Sequence, residues 1–383
     1  MTRIGLLTTY PPQVCGIANF SATLRDALPA RAAGAVVALE EPDGADPGTA
    51  EWPPEVCGVL RPESPASCIA AARILNREDV ALVQHEFGIY GGPSGVDALR
   101  VVDLLTVPAI VVIHTVLDDP ADHARAVLNR VCRKAAAVVV MSQDARARLS
   151  AGYDVPDERI HLIPHGVAPA LVGLRRAHDP PAAENAAPTL LTWGLLRPAK
   201  GIRWAIAALP LLRGRAADAR YVVAGRTHPR LIDEHGDTYR RRLAAHADRL
   251  GVAHRVSFDD RFLSPDELRL RLQRASCVVL PYESADQATS GVLAEAIAAG
   301  VPVVATAFPH ATELLTAGRG TVVPHRDPTA LADAVTALLS EESAPLPASC
   351  ETPQDLSWPA VAARYHRLAT DVLTTHAASQ DTP

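Results

Sequence analysis

Short runs of Val, Ile, Leu and Ala alternate with longer segments of helical periodicity along most of the chain. In the first half the runs fall at residues 3–8, 35–39, 80–85, 109–114, 137–141 and 160–163. A second series follows at 189–193, 220–224, 255–258, 277–280, 302–306 and 321–323. The runs are apolar on both faces, which predicts strands of a parallel sheet covered by helices. Between them the periodicity predicts helices at 18–28, 201–212, 239–250, 265–274 and 292–299, and a last amphipathic helix at 360–373. Repeated strand–helix units of this kind imply α/β, doubly wound, Rossmann-like domains.

The pattern lapses at RRAHDPPAAENAAP, residues 175–188, which has no apolar period and three prolines. This predicts an N-terminal domain over 1–175, a linker over 176–188 and a C-terminal domain over 189–355. The final helix, 358–375, is expected to join the N-terminal domain, and the proline-rich stretch 340–353 before it reads as irregular. Two α/β lobes facing a central cleft would aim both sets of strand ends at one small-molecule site.

Composition narrows the function. A length of 383 residues suits two domains. With 48% hydrophobic and 21% charged residues the chain has material for packed cores, which excludes intrinsic disorder. A net charge of -6 and only 4% aromatics argue against nucleic acid as a partner. No apolar run reaches the roughly 20 residues that span a bilayer, so no transmembrane segment is expected, and peripheral membrane contact stays open. The opening residues read as a first strand cut off by Pro11 and Pro12, not as a signal peptide. None of the six cysteines forms a C-x-x-C pair, so buried thiols in a reducing cytoplasm are expected. Oligomeric state leaves no mark on the sequence.

Candidate chemistry gathers where strands end. Gly16, before the first helix, would let a ligand approach backbone N–H groups, although a plain turn glycine reads the same way. No G-x-G-x-x-G follows that first strand, so a nicotinamide-dependent oxidoreductase loses its main support. Gln84, His85 and Glu86 end another strand and lead into Gly88, Gly91 and Gly92. A carboxylate beside an imidazole can bind hydroxyls or move protons. His114, Ser142 and His165 end three more strands. One histidine at a strand end is usually structural, whereas several polar strand ends at equivalent positions point to one site. His161 and His165 are four apart, but on a strand running into a turn, which disfavours a helical metal pair.

In the second half, Gly194, Arg197, Lys200 and Gly201 form a strand–helix loop whose two cations suit a diphosphate, unless the loop is merely solvated. Gly225 supplies a second glycine turn. Residues Gln287, Ala288, Thr289, Ser290, Gly291 and Val292 run directly into an apolar helix. The free N–H groups and positive end of such a helix hold phosphates. Glu295 lies one turn further on among Leu293, Ala294, Ala296 and Ile297, placed to accept hydrogen bonds from two ribose hydroxyls.

At these residues the sequence resembles the retaining glycosyltransferases of the GT-B fold, in family four, glycosyltransferase group 1. The similarity covers nearly the whole chain and is strongest from Trp193 to Pro324. Gly194, Arg197, Lys200 and Gly201 match the family's loop after the first C-lobe strand. Gln287 through Val304 match its E-x7-E signature and following segment, with Glu295 as the second glutamate. One position departs: the first acid of that signature is Gln287, with Glu283 and Asp286 as neighbouring acids that offer a substitute.

The resemblance implies transfer of a sugar, with retention, from a UDP- or GDP-sugar to a hydroxyl acceptor. It implies His114 against the donor sugar, and Gly16, Gln84, His85, Glu86, Ser142 and His165 facing acceptor or sugar. It implies front-face displacement, no enzymatic nucleophile, no cofactor beyond the nucleotide sugar and no metal; no D-x-D motif occurs. A nucleotide-sugar epimerase of the same fold and a non-catalytic nucleotide-sugar-binding homologue are the alternatives.

Overall fold

Runs that are apolar on both faces need cover on both faces, and the chain meets that need with two all-parallel sheets. The computed structural model describes residues 1–40, 51–174, 187–284, 287–315, 320–340 and 356–380. The first sheet contains β1 (Ile4–Thr8), β2 (Ala33–Leu39), β3 (Val56–Leu60), β4 (Val80–His85), β5 (Ala109–Ile113), β6 (Ala137–Val140) and β7 (Ile160–Leu162), in the order β3-β2-β1-β4-β5-β6-β7. The second contains β8 (Thr189–Trp193), β9 (Arg220–Ala224), β10 (Val256–Asp259), β11 (Cys277–Leu280), β12 (Val303–Thr306) and β13 (Gly320–Val323), in the order β10-β9-β8-β11-β12-β13. Strand order reverses at β1/β4 in one sheet and β8/β11 in the other. Doubly wound sheets bind ligands beyond the C-terminal strand ends at such a reversal.

Side-chain parity builds the layers. Leu191, Trp193, Val278, Leu280, Val303 and Ala305 bury on one face of the second sheet, with the helix Gly291–Ala298. Their neighbours Leu190, Tyr221, Val223, Cys277, Val279 and Val304 bury on the other face, with Ile202, Ile206 and Leu243. Each fully buried Leu, Ile or Val side chain contributes about 1.5–3 kcal/mol.

Two compact units result: Met1–Gly166 with Trp358–Pro383, and Val167–Ser357. The expected boundary after residue 175 therefore moves to 166/167. Val167 and Leu171, four residues apart, are both buried in the core of the second unit, and the Val167 N–H donates to the Leu356 carbonyl at 2.7 Å. The last helix, Trp358–Gln380, returns to the first unit; it starts where the 358–375 expectation put it and runs five residues further. Its residues Val361, Ala362, Tyr365 and Leu368 pack with Phe20 and Leu24. Trp358 lies so close to Gly166 that a Cβ there would stand 2.3 Å from the indole. Residues 176–186 of the expected linker and residues 341–353 of the proline-rich stretch lie outside the described residues.

Two further differences have local causes. β3 was not expected: it is a half-exposed edge strand whose run is interrupted by Gly58, and a Cβ there would meet Ile74 at 2.5 Å. The helix predicted over 201–212 stops at Ala208 and tightens into a 3-10 turn, Leu209–Leu211, where Pro210 has no N–H to continue it. Cys68, Cys132 and Cys277 are buried thiols, Cys57 is exposed, and Cys350 lies outside the described residues. No described helix is long and apolar enough to cross a membrane.

Candidate functional site

In the second unit, close backbone approaches bring the chemistry together. Gly194, at the end of β8, has φ 104°, and Gly225, at the end of β9, has φ 134°. A Cβ on Gly225 would lie 2.0 Å from the Gly194 carbonyl oxygen, so the two loops touch through their backbones. A Cβ on Gly194 would meet Val292 Cγ2 at 3.5 Å, which places this pair beside the start of the helix Gly291–Ala298. Gly201, φ 61°, packs on the Pro281 carbonyl, where any Cβ would come within 1.8 Å. Positive φ and crowding together demand glycine at 201 and 225, and positive φ alone favours it at 194.

Lys200 ends the 3-10 turn Pro198–Lys200. Its Nζ donates to the Tyr282 hydroxyl at 2.6 Å and lies 4.0 Å from the centre of that ring, which is itself stacked on Phe308. Lys200 also acts electrostatically on Glu295. Trp193 Nε1 donates to Glu295 Oε2 at 3.1 Å. Burial pushes the Glu295 carboxyl up to about 7, against the opposing pull of the Trp193 hydrogen bond and the Lys200 charge. Arg197 is exposed, and its guanidinium has no partner among the described residues.

Ser290 caps the helix by accepting the Leu293 N–H at 3.2 Å. The Gly291 and Val292 amides find no partner among the described residues. This leaves two donors and the positive helix end beside Gly194. Gln287 turns inward: its Nε2 donates to the Thr289 carbonyl. Ala288 is buried, and the Ser290 N–H donates to Nδ1 of the buried His310 at 2.9 Å. Glu283 is held by Trp204 at 2.9 Å, Arg203 at 3.0 Å and Arg326 at 3.5 Å, so it is not free to stand in for the missing acid. Asp286 lies outside the described residues.

The first unit has its own polar group at the ends of β4 and β5. His114 Nε2 donates to Gln84 Oε1 at 2.7 Å. Burial, with His165 and His85 nearby, lowers His114 to about 3, so its ring is neutral with Nδ1 as an acceptor. Glu86 accepts from Thr115 Oγ1 at 2.5 Å and from the Phe87 N–H at 2.9 Å. His85 is fully buried, its two ring nitrogens have no partner among the described residues, and burial lowers it to about 4. Gly16 opens the helix Gly16–Ala27 in open space, with nothing within 4 Å of the point where a Cβ would stand.

Two candidates take structural work. Ser142 is buried and caps the helix Gln143–Gly152, accepting the Ala145 N–H at 3.1 Å. His165 donates from Nδ1 to the Gly166 carbonyl at 2.7 Å and packs against Phe20 and Trp358. The structure thus groups Gly194, Lys200, Gly225, Val292 and Glu295 in one unit and Gln84, His85, Glu86 and His114 in the other. Sequence reasoning missed Trp193, Tyr282 and His310 as supports. His310 gave no strand-end signal: it lies four residues beyond the end of β12, inside the short helix Pro309–Leu314.

Comparison with known proteins covers most of the chain. Residues 187–341 match the family described as Glycosyl transferases group 1, and residues 14–171 match Glycosyltransferase Family 4. A GDP-mannose-dependent alpha-(1-6)-phosphatidylinositol monomannoside mannosyltransferase of Mycolicibacterium smegmatis is 30% identical over 232 residues, 57% of this chain and 56% of that protein. The match therefore spans little more than half of that relative's length. Among solved structures, Anabaena HepE in complex with UDP and glucose aligns with a TM-score of 0.71 at 16% identity, covering 97% of this chain and all of HepE. Sucrose-phosphate synthase from Thermosynechococcus elongatus aligns at 0.73 and 19%, covering 98% of this chain and 100% of its own. At these identities the likeness carries the fold, two parallel-sheet α/β domains of the GT-B type.

Proposed function

The chain belongs to the family four, group 1 glycosyltransferases, and from that membership and the site in its second unit we propose that it transfers a sugar, with retention, from a nucleoside-diphosphate sugar to a hydroxyl acceptor. The observation that carries this reading is the meeting of Lys200, Glu295 and the open start of the helix Gly291–Ala298 at the β8/β11 reversal. A cation, two unpaired amides and a helix end suit a diphosphate, and a carboxylate one turn deeper suits ribose hydroxyls.

The reaction breaks the bond between the anomeric carbon and the diphosphate oxygen, and the electron pair leaves with the diphosphate. Lys200, Arg197 and the Gly291 and Val292 amides meet the charge that develops there. The acceptor oxygen attacks from the same face, and its proton passes to the departing phosphate oxygen. No protein nucleophile and no metal ion enter this scheme. In the first unit, His114 offers Nδ1 to a sugar hydroxyl, and the fixed Glu86 offers a carboxylate to sugar or acceptor.

Nucleobase and sugar are matters for experiment: one relative's name specifies GDP-mannose and one neighbour's title UDP and glucose. The test incubates the chain with UDP- and GDP-hexoses, alone and with alcohol and glycan acceptors. Nucleoside diphosphate release that depends on acceptor, with a product whose anomeric proton coupling matches the donor's, is expected. An inverted product refutes retention. Conversion of donor to an epimer without acceptor refutes transfer.

A further inference from the structure

The helix Thr238–Arg249 carries one stripe that the reaction leaves unused. Tyr239, Arg242, His246 and Arg249 recur at helical spacing and line a cavity of about 550 Å³ shared with Arg203 and Glu283. That volume lies within the range of small-molecule pockets. Lys200 and Glu295 are not part of its wall.

The charge in this cavity is unbalanced. Glu283 is already engaged by Arg203, Arg326 and Trp204. Arg242 has no carboxylate partner among the described residues, and Arg249 makes only a 3.3 Å hydrogen bond to His246 Nδ1. Arg203 lies over the Trp204 ring at 4.7 Å, which fixes its guanidinium. Burial first, and then the Arg249 and Arg203 charges, lower His246 against a hydrogen bond with the Arg203 backbone that raises it, so its ring stands beside two guanidinium groups. The helix itself adds to that excess: Thr238–Arg249 holds four Arg against one Asp, in a chain whose net charge is -6. Concentrated cation on an otherwise acidic protein attracts an anion to that place.

We propose that the groove lined by Arg242, His246 and Arg249 is a second anion site that binds a phosphate-bearing ligand, separate from the donor site. Guanidinium forks suit phosphate oxygens. Tyr239, in the same wall, donates to the Arg197 carbonyl at 3.1 Å, so an occupant also touches the residue that anchors the donor loop.

The test follows the His246 imidazole proton resonances of the full chain, assigned with His246→Gln, while inorganic phosphate is added at constant ionic strength. A saturable shift is expected in the wild type and equally in Lys200→Ala, whose change lies in the donor site. In Arg242→Ala/Arg249→Ala the affinity should fall about tenfold or more, since both guanidinium contacts to the phosphate are lost. Both arginines are exposed and alanine favours helix, so a matching thermal melt will show the variant folded. No saturable shift in the wild type, or equal affinity in the double variant, overturns the site. Vesicles of phosphatidylcholine with and without phosphatidylglycerol identify the source. Sedimentation with the anionic vesicles that the double variant loses assigns the phosphate to a lipid headgroup. A phosphate shift without sedimentation assigns it to a soluble ligand.

Discussion

Gly16 and Gly225 each follow a parallel strand, yet their surroundings are opposite. Gly225 sits at φ 134° with a neighbouring carbonyl where its Cβ would be, so the fold itself demands glycine there. Gly16 has a helical backbone and empty space around it, so nothing in the protein demands glycine there. The difference separates a residue that builds a site from one that leaves room in it. The same contrast divides the two units. In the second, glycines force loops together and Lys200 and Glu295 are placed by that contact. In the first, the polar strand ends pair with one another, Gln84 with His114 and Glu86 with Thr115.

The largest effect should fall on that glycine pair. Gly225→Ala places a side chain in a left-handed conformation against a carbonyl and should cost roughly 4–5 kcal/mol or abolish folding. Gly16→Ala should leave stability unchanged or raise it by up to about 1 kcal/mol, because alanine suits a helix better. Its donor or acceptor KM should rise. Chemical denaturation of both variants checks the first half, and steady-state kinetics of Gly16→Ala the second. Gly16→Ala with unaltered KM removes Gly16 from the site.

Next comes Arg197→Ala/Lys200→Ala. Both side chains are offered to the leaving diphosphate, and a lost contact of this type costs about 3–4 kcal/mol of transition-state stabilisation, roughly 10²–10³ in rate. The loss should appear in kcat and kcat/KM with donor, and the melting temperature should fall as well, because Lys200→Ala takes from the buried Tyr282 hydroxyl its 2.6 Å donor. Wild-type turnover by this variant would contradict the phosphate assignment.

Much of this architecture was legible because strands buried on both faces write themselves as unbroken apolar runs, as in Val80–His85 and Cys277–Leu280. β3 was not, since an edge strand needs fewer apolar residues and here contains Gly58. The loop Gly194–Gly201 and Glu295 were legible because residue type and spacing carry their chemistry. What sequence could not supply is which groups support them. Trp193 and Glu295 are 102 residues apart, and only the sheet brings indole to carboxylate. Ser142 shows the reverse limit: the end of a strand and the cap of the next helix fall on one position, so a cap and a ligand contact look alike in sequence.

Glu295 sharpens the comparison through pH. Its carboxyl is raised to about 7 from an ordinary 4.5, so in the free protein it begins to protonate near neutrality. Ribose hydroxyls donate to the ionised form, and binding therefore expels a proton below about pH 7. Donor KM should rise toward tenfold per pH unit on the acid side and level off above about pH 8. Glu295→Gln should flatten that profile and raise KM at pH 8. Stability moves the other way. A raised carboxyl is a penalty that accumulates as pH rises from about 4.5 through about 7, so Glu295→Gln should melt above wild type at pH 8, with the gap closing near pH 4. A shift of about 2–4 °C is expected for each kcal/mol relieved. A pH-independent KM in the wild type would separate Glu295 from the donor.

The smallest expected effect tests whether a strand-end hydroxyl in the first unit belongs to its site at all. Ser142 Oγ accepts one amide at the start of a ten-residue helix and is buried. Removing such a cap typically costs about 1 kcal/mol. Ser142→Ala should therefore lower the denaturation midpoint slightly and leave KM for donor and acceptor unchanged. Ser142→Asp, which keeps an acceptor for the Ala145 amide and adds charge at the positive helix end, should recover the loss if the buried position tolerates its extra volume. A KM change in the alanine variant with no loss of stability would reverse this assignment and return Ser142 to the ligand-contacting group with His114.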